Sequence, residues 1–375
     1  MIDAKSYKIR LGLDAAPLNN LSGGIGYYVF YLLDELIQTR KDILFILYSF
    51  SDEGDIFHFT KYENVEIRKI PFLSFCHSLW IQSTLCYHLW KEDLDYFWGT
   101  TQSLPLLTRK RLVTLLSLYD FVFRLHPKTL SPIKGLYLAI FSKRFFKKAD
   151  FIFPISYGTG EYLKSFYGIA YADVVNPPLR KDIAYKDRLA CETVLQRENL
   201  PYKKYVVTVG TIEPRKNFLG LLAFYASLLQ KHDPSKLLPL VIIGGGGWKN
   251  KKIKRELQKL SQEYPRQIVL LGFIPDADLS YYLSGASFYV SLSHYEGYGM
   301  PLAESRVCQT PIVCFDRPEM REAAENDGVF LSEDFYKESL EEWFFISEDT
   351  AFPSVTRAGY ISNRTLSDKI SKQIL

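Results

Sequence analysis

Tyr295-Glu296-Gly297-Tyr298-Gly299-Met300-Pro301-Leu302-Ala303-Glu304 places two carboxylates on either side of a Gly-Tyr-Gly turn and a proline. Glycines favour a tight turn and proline suits the first turn of a helix. The reading therefore puts Glu296 on a loop and Glu304 one turn into a helix. The backbone amides of Gly299 and Met300 would head that helix, where the positive end of its dipole favours a phosphate. Carboxylates accept hydrogen bonds from sugar hydroxyls, so one of the two could hold a sugar and the other a ribose. Two glutamates at arbitrary spacing would carry nothing; the intervening turn and proline make this pair specific.

Around this segment, short apolar runs alternate with amphipathic stretches along the whole chain, the pattern of parallel sheets covered by helices on both faces. The class expected is α/β. In the first half, strands are expected at 9–13, 43–48, 96–98, 112–116 and 151–155, with a last short one at Val174-Val175, and helices at 27–37 and 135–147. In the second half the same grammar restarts, with strands at 205–209, 240–243, 268–271, 288–292 and 312–315, and helices at 218–230, 253–261, 278–283 and 302–307. Between them the text turns polar, opening on Asn176-Pro177-Pro178 and closing on Leu200-Pro201. Proline edges fit neither a strand nor a long helix. The expected division is thus a first domain over 1–176, a linker over 177–202, a second domain over 203–350 and a helical segment over 351–375 that could pack back on the first domain. At 375 residues the chain exceeds what one hydrophobic core usually sustains, which agrees with two domains.

Two further motifs follow first strands. Ser22-Gly23-Gly24-Ile25-Gly26 precedes the first helix, where glycines let backbone amides approach a phosphate, although an ordinary flexible turn fits as well. Asp14, at the end of the preceding strand, reads as a loop hydrogen-bonder. Gly210-Thr211-Ile212-Glu213-Pro214-Arg215-Lys216-Asn217 follows the first strand of the second half. Ligands bind at strand ends in doubly wound sheets, and an Arg beside a Lys there offers two cations to a diphosphate. A solvated basic loop is the plainer alternative.

Composition excludes several classes. The chain is 47% hydrophobic and 23% charged, which is neither disordered nor fibrous. Its first ten residues are polar and no stretch reaches the roughly 20 apolar residues of a spanning helix, so a cytoplasmic protein is expected. Five scattered cysteines, none in Cys-x-x-Cys spacing, read as free thiols rather than a disulfide framework or a zinc site. Asn363-Arg364-Thr365 matches a glycosylation sequon by coincidence in such a chain. A net charge of +4 does not indicate nucleic acid.

In this order, the glycine loop, Ser156 after a strand, Asn176-Pro177, Gly-x-x-x-Pro-Arg-Lys-Asn, the glycines at 244–247, Leu271-Gly272-Phe273 and Glu-Gly-Tyr-Gly-Met-Pro-Leu-Ala-Glu resemble the retaining glycosyltransferases of family four over nearly the whole length. The resemblance implies a GT-B fold, with two Rossmann-like domains facing each other across a cleft. It implies that Arg215 and Lys216 neutralise the leaving diphosphate, Glu296 contacts donor-sugar hydroxyls, Glu304 holds the ribose, and Phe273 with Ile274 rims the base. Gly24, Gly210, Gly299 and Met300 are implied at the donor as well. No metal or other cofactor is implied, and no carboxylate is assigned as nucleophile.

One departure concerns Leu118-Tyr119-Asp120. The family commonly has His-Asp where this chain has Tyr119 and Asp120, so the implied catalytic set is Glu296, Arg215, Lys216, Tyr119 and Asp120, with tyrosine able to donate a hydrogen bond but not to carry charge. Gln309 also stands where the family tends to have glycine, and His126 is a candidate to compensate for the missing histidine. The function implied is hexose transfer with retention from a nucleoside-diphosphate sugar, GDP-mannose first and a UDP-sugar next, to a glycan or lipid-linked saccharide in polysaccharide or cell-surface glycan assembly. Other readings are a different GT-B enzyme, such as an epimerase or phosphorylase, or a catalytically weak sugar-nucleotide-binding protein.

A basic and aromatic stretch runs from Arg109 to Lys148, with Phe121, Phe123, Tyr137, Phe141, Phe145 and Phe146 among its cations. It suits an anionic membrane surface at the inner face of the plasma membrane, or an ordinary amphipathic helix with its aromatics inward.

Overall fold

The computed structural model describes residues 7–19, 21, 24–51, 54–72, 76–247, 249–334, 336–345 and 368–373. Within them the chain divides into two units. One holds the described residues up to Leu125, 131–178 and 368–373; the other holds 126–130 and 179–345.

The first unit is built on β1 (Ile9–Asp14), β2 (Ile43–Ser49), β3 (Val65–Lys69), β4 (Tyr96–Gly99), β5 (Val113–Leu118) and β6 (Phe151–Pro154). All pair in parallel, in the order β3-β2-β1-β4-β5-β6. Every residue of β2, Ile-Leu-Phe-Ile-Leu-Tyr-Ser, is buried, as a strand covered on both faces requires. The order reverses between β1 and β4, so the carboxyl ends of those two strands flank the point where such sheets bind ligands. Helices Gly24–Thr39, Pro132–Lys148 and Tyr157–Tyr167 belong to this unit. Ser156 starts the last of them by accepting a hydrogen bond from the Thr159 amide at 3.0 Å, and Gly168 ends it in the left-handed region.

The second unit repeats the winding with β7 (Val206–Val209), β8 (Leu240–Ile243), β9 (Ile268–Gly272), β10 (Phe288–Ser291), β11 (Ile312–Phe315) and β12 (Val329–Leu331), ordered β12-β11-β10-β7-β8-β9 and again parallel. Its switch lies between β7 and β10. Gly244, at the end of β8, shows why a glycine turn stands there: a Cβ would sit 2.0 Å from the Gly210 carbonyl oxygen, and φ is +143°.

The segment expected as a linker does not stay outside the folded units. From Leu179 onward it belongs to the second unit and carries helix Arg188–Leu195, capped by Asp187, whose carboxylate accepts from the Ala190 amide at 2.9 Å. Cys191, Val194 and Leu195 enter that unit's core at helical spacing, which the surrounding charges hide in the sequence. Val174 and Val175 form no strand, though the Val175 amide donates to the Pro154 carbonyl at 2.9 Å. Of the terminal segment, 368–373 joins the first unit, where Lys369 Nζ donates to the Val174 carbonyl at 2.8 Å. Residues 346–367, with Asn363, lie outside the described residues, as do Ser22 and Gly23 of the glycine loop. All five cysteines are free thiols.

Candidate active site

Four charged residues of the second unit, Glu213, Arg215, Lys216 and Glu296, gather in the segments that follow β7 and β10. After β7 the chain makes a single 3-10 turn, Pro214–Lys216, and reverses at Asn217, which adopts left-handed φ and ψ. Its side chain then caps helix Phe218–Lys231 by accepting from the Gly220 amide at 3.2 Å. This reversal turns Arg215 and Lys216 back toward the exit of β10, where the His294 amide donates to the Arg215 carbonyl at 3.0 Å.

Glu296 sits between the two cations. Lys216 Nζ donates to Oε1 at 2.5 Å and Arg215 Nη1 to Oε2 at 2.8 Å. Arg215 also donates to the Tyr295 carbonyl at 2.6 Å and to Glu213 at 2.5 Å. Glu296 is 6% exposed. Burial alone would raise its pKa, but Lys216 and Arg215 outweigh burial and hold the carboxyl down at about 2. Two carboxylates against two cations leave the cluster without net charge, so its grip on an anion must come from aimed protons, of which Lys216 has three.

Gly299 precedes helix Met300–Val307 at φ +107°, where a Cβ would stand 2.8 Å from Leu302 Cδ1. Glu304 lies in this helix and is 1% exposed. Its Oε1 accepts from Arg180 Nε at 2.8 Å and Nη2 at 2.6 Å, while Oε2 is buried without a hydrogen-bond partner among the described residues. Burial raises the Glu304 pKa against the opposing pull of Arg180. Arg180 Nη1 reaches Asp276 at 2.5 Å, at the start of helix Asp276–Gly285. Just before that helix, Phe273 is 81% exposed and Ile274 half-buried. The structure thus brings Arg215, Lys216 and Glu296 into one cluster, with Gly210 ending β7 beside the Lys216 stem, and places Phe273 and Ile274 next to the Asp276 end of a separate Arg180–Glu304 network.

Sequence reasoning missed Arg180 and Asp276, and also Glu319, in helix Pro318–Ala323, which is 1% exposed with neither carboxyl oxygen hydrogen-bonded among the described residues. Burial raises the Glu319 pKa, only partly offset by the nearby amides of Glu319 itself and Glu296. Gln309 stands in the left-handed region at φ +55°, which explains why a glycine would be at home there. His126, assigned to the second unit, stacks on Tyr295 with ring centroids 5.8 Å apart.

The other expected residues lie in the first unit. Gly24 opens helix Gly24–Thr39 with open space around the position of a Cβ. Asp120 accepts from the Val122 amide at 3.0 Å and so starts the short helix Val122–Leu125. Tyr119 corrects an expectation: it is 5% exposed, and its hydroxyl donates to the Thr100 carbonyl at 2.6 Å. Its proton is already committed inside the core, because the end of β5 turns the ring against Tyr28, 5.3 Å away and edge-on. Asp14 is more than a loop hydrogen-bonder. It is buried, accepts from Thr101 at 2.8 Å and lies 3.0 Å from His77 Nε2, a histidine to which no sequence motif drew attention. Among the described residues no group of three or more His, Cys, Asp or Glu is arranged to hold a metal ion.

Residues 193–342 match the family described as Glycosyl transferases group 1. The chain is similar to the O-antigen chain mannosyltransferase B of Escherichia coli, 34% identical over 139 residues that make up 37% of this chain and 35% of that protein. It is also similar to the N-acetylgalactosamine-N,N'-diacetylbacillosaminyl-diphospho-undecaprenol 4-alpha-N-acetylgalactosaminyltransferase of Campylobacter jejuni subsp. jejuni serotype O:2, 32% identical over 176 residues, 46% of this chain and 42% of that protein. The alignments thus span less than half the length of these curated relatives. Among solved structures, HepE of Anabaena in complex with UDP and glucose superposes with a TM-score of 0.67 at 15% identity, covering 97% of this chain and 98% of that one. The chain has the GT-B fold, and its residues 193–342 are similar to the glycosyl transferases group 1 family.

Proposed function

We propose that this protein is a retaining glycosyltransferase that moves a hexose from a nucleoside-diphosphate sugar to a glycan or lipid-linked saccharide during polysaccharide or cell-surface glycan assembly. The observation that carries the reading is buried Glu296 held ionised between Lys216 and Arg215 at the strand ends of the second sheet. An ionised carboxylate accepts from sugar hydroxyls, and the two cations beside it stabilise the charge that develops as the bond between sugar and diphosphate breaks. The amides of Gly299 and Met300 receive phosphate, and exposed Phe273 with Ile274 receives the base. The reaction needs no metal, since Arg215 and Lys216 supply the positive charge.

GDP-mannose is the preferred donor, supported by the mannosyltransferase named among the relatives, with a UDP-sugar next, supported by the UDP held in the HepE structure. Thermal-shift titration against GDP-mannose, UDP-glucose, dTDP-glucose and ADP-glucose tests the class, because a ligand of the native state raises its melting temperature by mass action. A shift with none of them sinks the reading. Proton NMR of the product's anomeric centre tests retention, and turnover unchanged by EDTA tests the absence of metal.

The acceptor is proposed to be met by a cytoplasmic enzyme at an anionic membrane face. No helix among the described residues is long and apolar enough to cross a membrane. Phe121, Phe123, Phe145 and Phe146 are buried, so the aromatic surface expected from sequence is mostly core. What helix Pro132–Lys148 exposes instead is Ile133, Leu136 and Ile140, followed on the same face by Lys143, Arg144 and Lys147. Flotation with vesicles of phosphatidylglycerol and phosphatidylcholine should carry the protein up at low salt, and absence of binding there ends this part of the proposal.

A further inference from the structure

Glu304 gives one oxygen to Arg180 and the other to no group among the described residues. Oε1 receives two guanidinium nitrogens, at 2.8 and 2.6 Å, and the third nitrogen of the same planar group is tied to Asp276 at 2.5 Å. A guanidinium anchored at three points cannot swing with its stem, and it stays charged at any pH the protein meets. The carboxylate that it grips is therefore fixed about its last torsion, with Oε2 aimed in one direction. That oxygen is buried and has no hydrogen-bond partner, which is uncommon enough in a folded protein to require a reason. A hydroxyl arriving with a ligand supplies one.

We infer that Arg180 is a positioning residue that sets specificity for ribose: by occupying Oε1 it leaves Oε2 as a pre-aimed acceptor for a ribose hydroxyl. The inference rests on the proposed reading of Glu304 as the ribose contact and adds who aims it. Arg180 also opposes protonation of Glu304. Burial favours the protonated acid, which would offer a proton instead of taking one, and the adjacent cation opposes that change. Asp276 steadies Arg180 from the other side, and it stands two residues after the proposed Phe273-Ile274 rim, so base and ribose contacts share one anchor.

Calorimetric binding of GDP and UDP, and of their 2′,3′-dideoxy forms, to the full chain separates the possibilities. The native protein should bind the ribose form of the accepted nucleotide about tenfold or more tighter than its dideoxy form, because a buried acceptor left unpaired penalises the analogue. Arg180→Met should bring that ratio below about threefold while leaving affinity for the dideoxy form within about twofold, and Arg180→Lys should recover part of the ratio. A purely architectural Arg180 would weaken both forms alike, and that result overturns the inference, as does an unchanged ratio in Arg180→Met. No discrimination in the native protein fails the ribose reading itself, a different result from loss of discrimination confined to the variant. Should Arg180→Met not fold, Asp276→Asn loosens the anchor without removing either ribose-side partner; a ratio unchanged from native in that variant also overturns the inference.

Discussion

The two sheets are wound identically and end differently. In each, the strand order turns at its first strand, between β1 and β4 in one unit and between β7 and β10 in the other. At the first edge several polar groups pair with one another: Asp14 takes Thr101 and lies against His77, and Tyr119 donates to Thr100. At the second edge charges are held in place but not used up, with Glu304 Oε2 unpaired and Phe273 bare. Equal topology with unequal chemistry shows that winding chooses where a ligand can sit, and the residues after each strand choose whether one is gripped.

The largest effect should come from removing the cation that distinguishes the second edge. Lys216→Ala deletes one of the two donors to Glu296 and half of the charge proposed to meet a leaving diphosphate. Loss of one such stabilising group typically costs about 3 kcal/mol of transition-state energy, so kcat should fall on the order of a hundredfold or more. A fall of less than tenfold in a steady-state transfer assay would mean that the catalytic charge lies elsewhere.

Within the second edge, the two glutamates should respond to pH in opposite senses. Glu296 is depressed to about 2 from an ordinary 4.5. Its contribution, about 3 kcal/mol at 1.36 kcal/mol per unit, is fully present above pH about 4.5 and is lost as pH falls through about 2. Glu304 is raised, because burial outweighs Arg180, so folding favours its proton relative to the unfolded chain, and stability declines as pH climbs from about 4.5 through the higher folded value. Urea unfolding at pH 7 should find Glu296→Gln less stable than native, by a margin that closes toward pH 2. Glu304→Gln should be no less stable than native at pH 7. Equal responses of the two variants would erase the distinction between a satisfied and an unsatisfied carboxylate.

A smaller contrast lies in the two glycines that open helices. Gly299→Ala forces a Cβ to φ +107° and to 2.8 Å from Leu302, at a cost of about 1 to 2 kcal/mol in thermal or chemical unfolding. Gly24→Ala meets nothing within 4 Å and begins a helix, so its stability should stay within about 0.5 kcal/mol of native. If both lose stability alike, steric demand at the second edge is not what keeps Gly299.

Much of this was legible because both periodicities were strong. Continuous apolar runs marked β2, β8 and β11, whereas β3 (Val-Glu-Ile-Arg-Lys) and three-residue β12 are edge strands too polar or too short to stand out. Helix Tyr157–Tyr167 hid behind two glycines, which propensity disfavours but which here are buried. At the site, Glu296, Arg215 and Lys216 were readable from local spacing after strands. Arg180 was not, since its partners lie 96 and 124 residues away and the segment around it looked like linker. Contacts of that range leave no local pattern; only the fold brings them together.

The smallest expected effect on turnover is at Tyr119, where the family resemblance places a histidine. Tyr119→Phe removes a hydroxyl that satisfies the buried Thr100 carbonyl, so stability should drop by about 1 kcal/mol. The ring would keep its edge contact with Tyr28. Transfer activity should stay within about twofold of native, because a hydroxyl already bound inside the core has no proton to offer a sugar. Tyr119→His should not raise turnover either, since burial disfavours the charged imidazole that a histidine would contribute. A tenfold or greater loss in Tyr119→Phe, with stability preserved, would return this residue to the catalytic machinery.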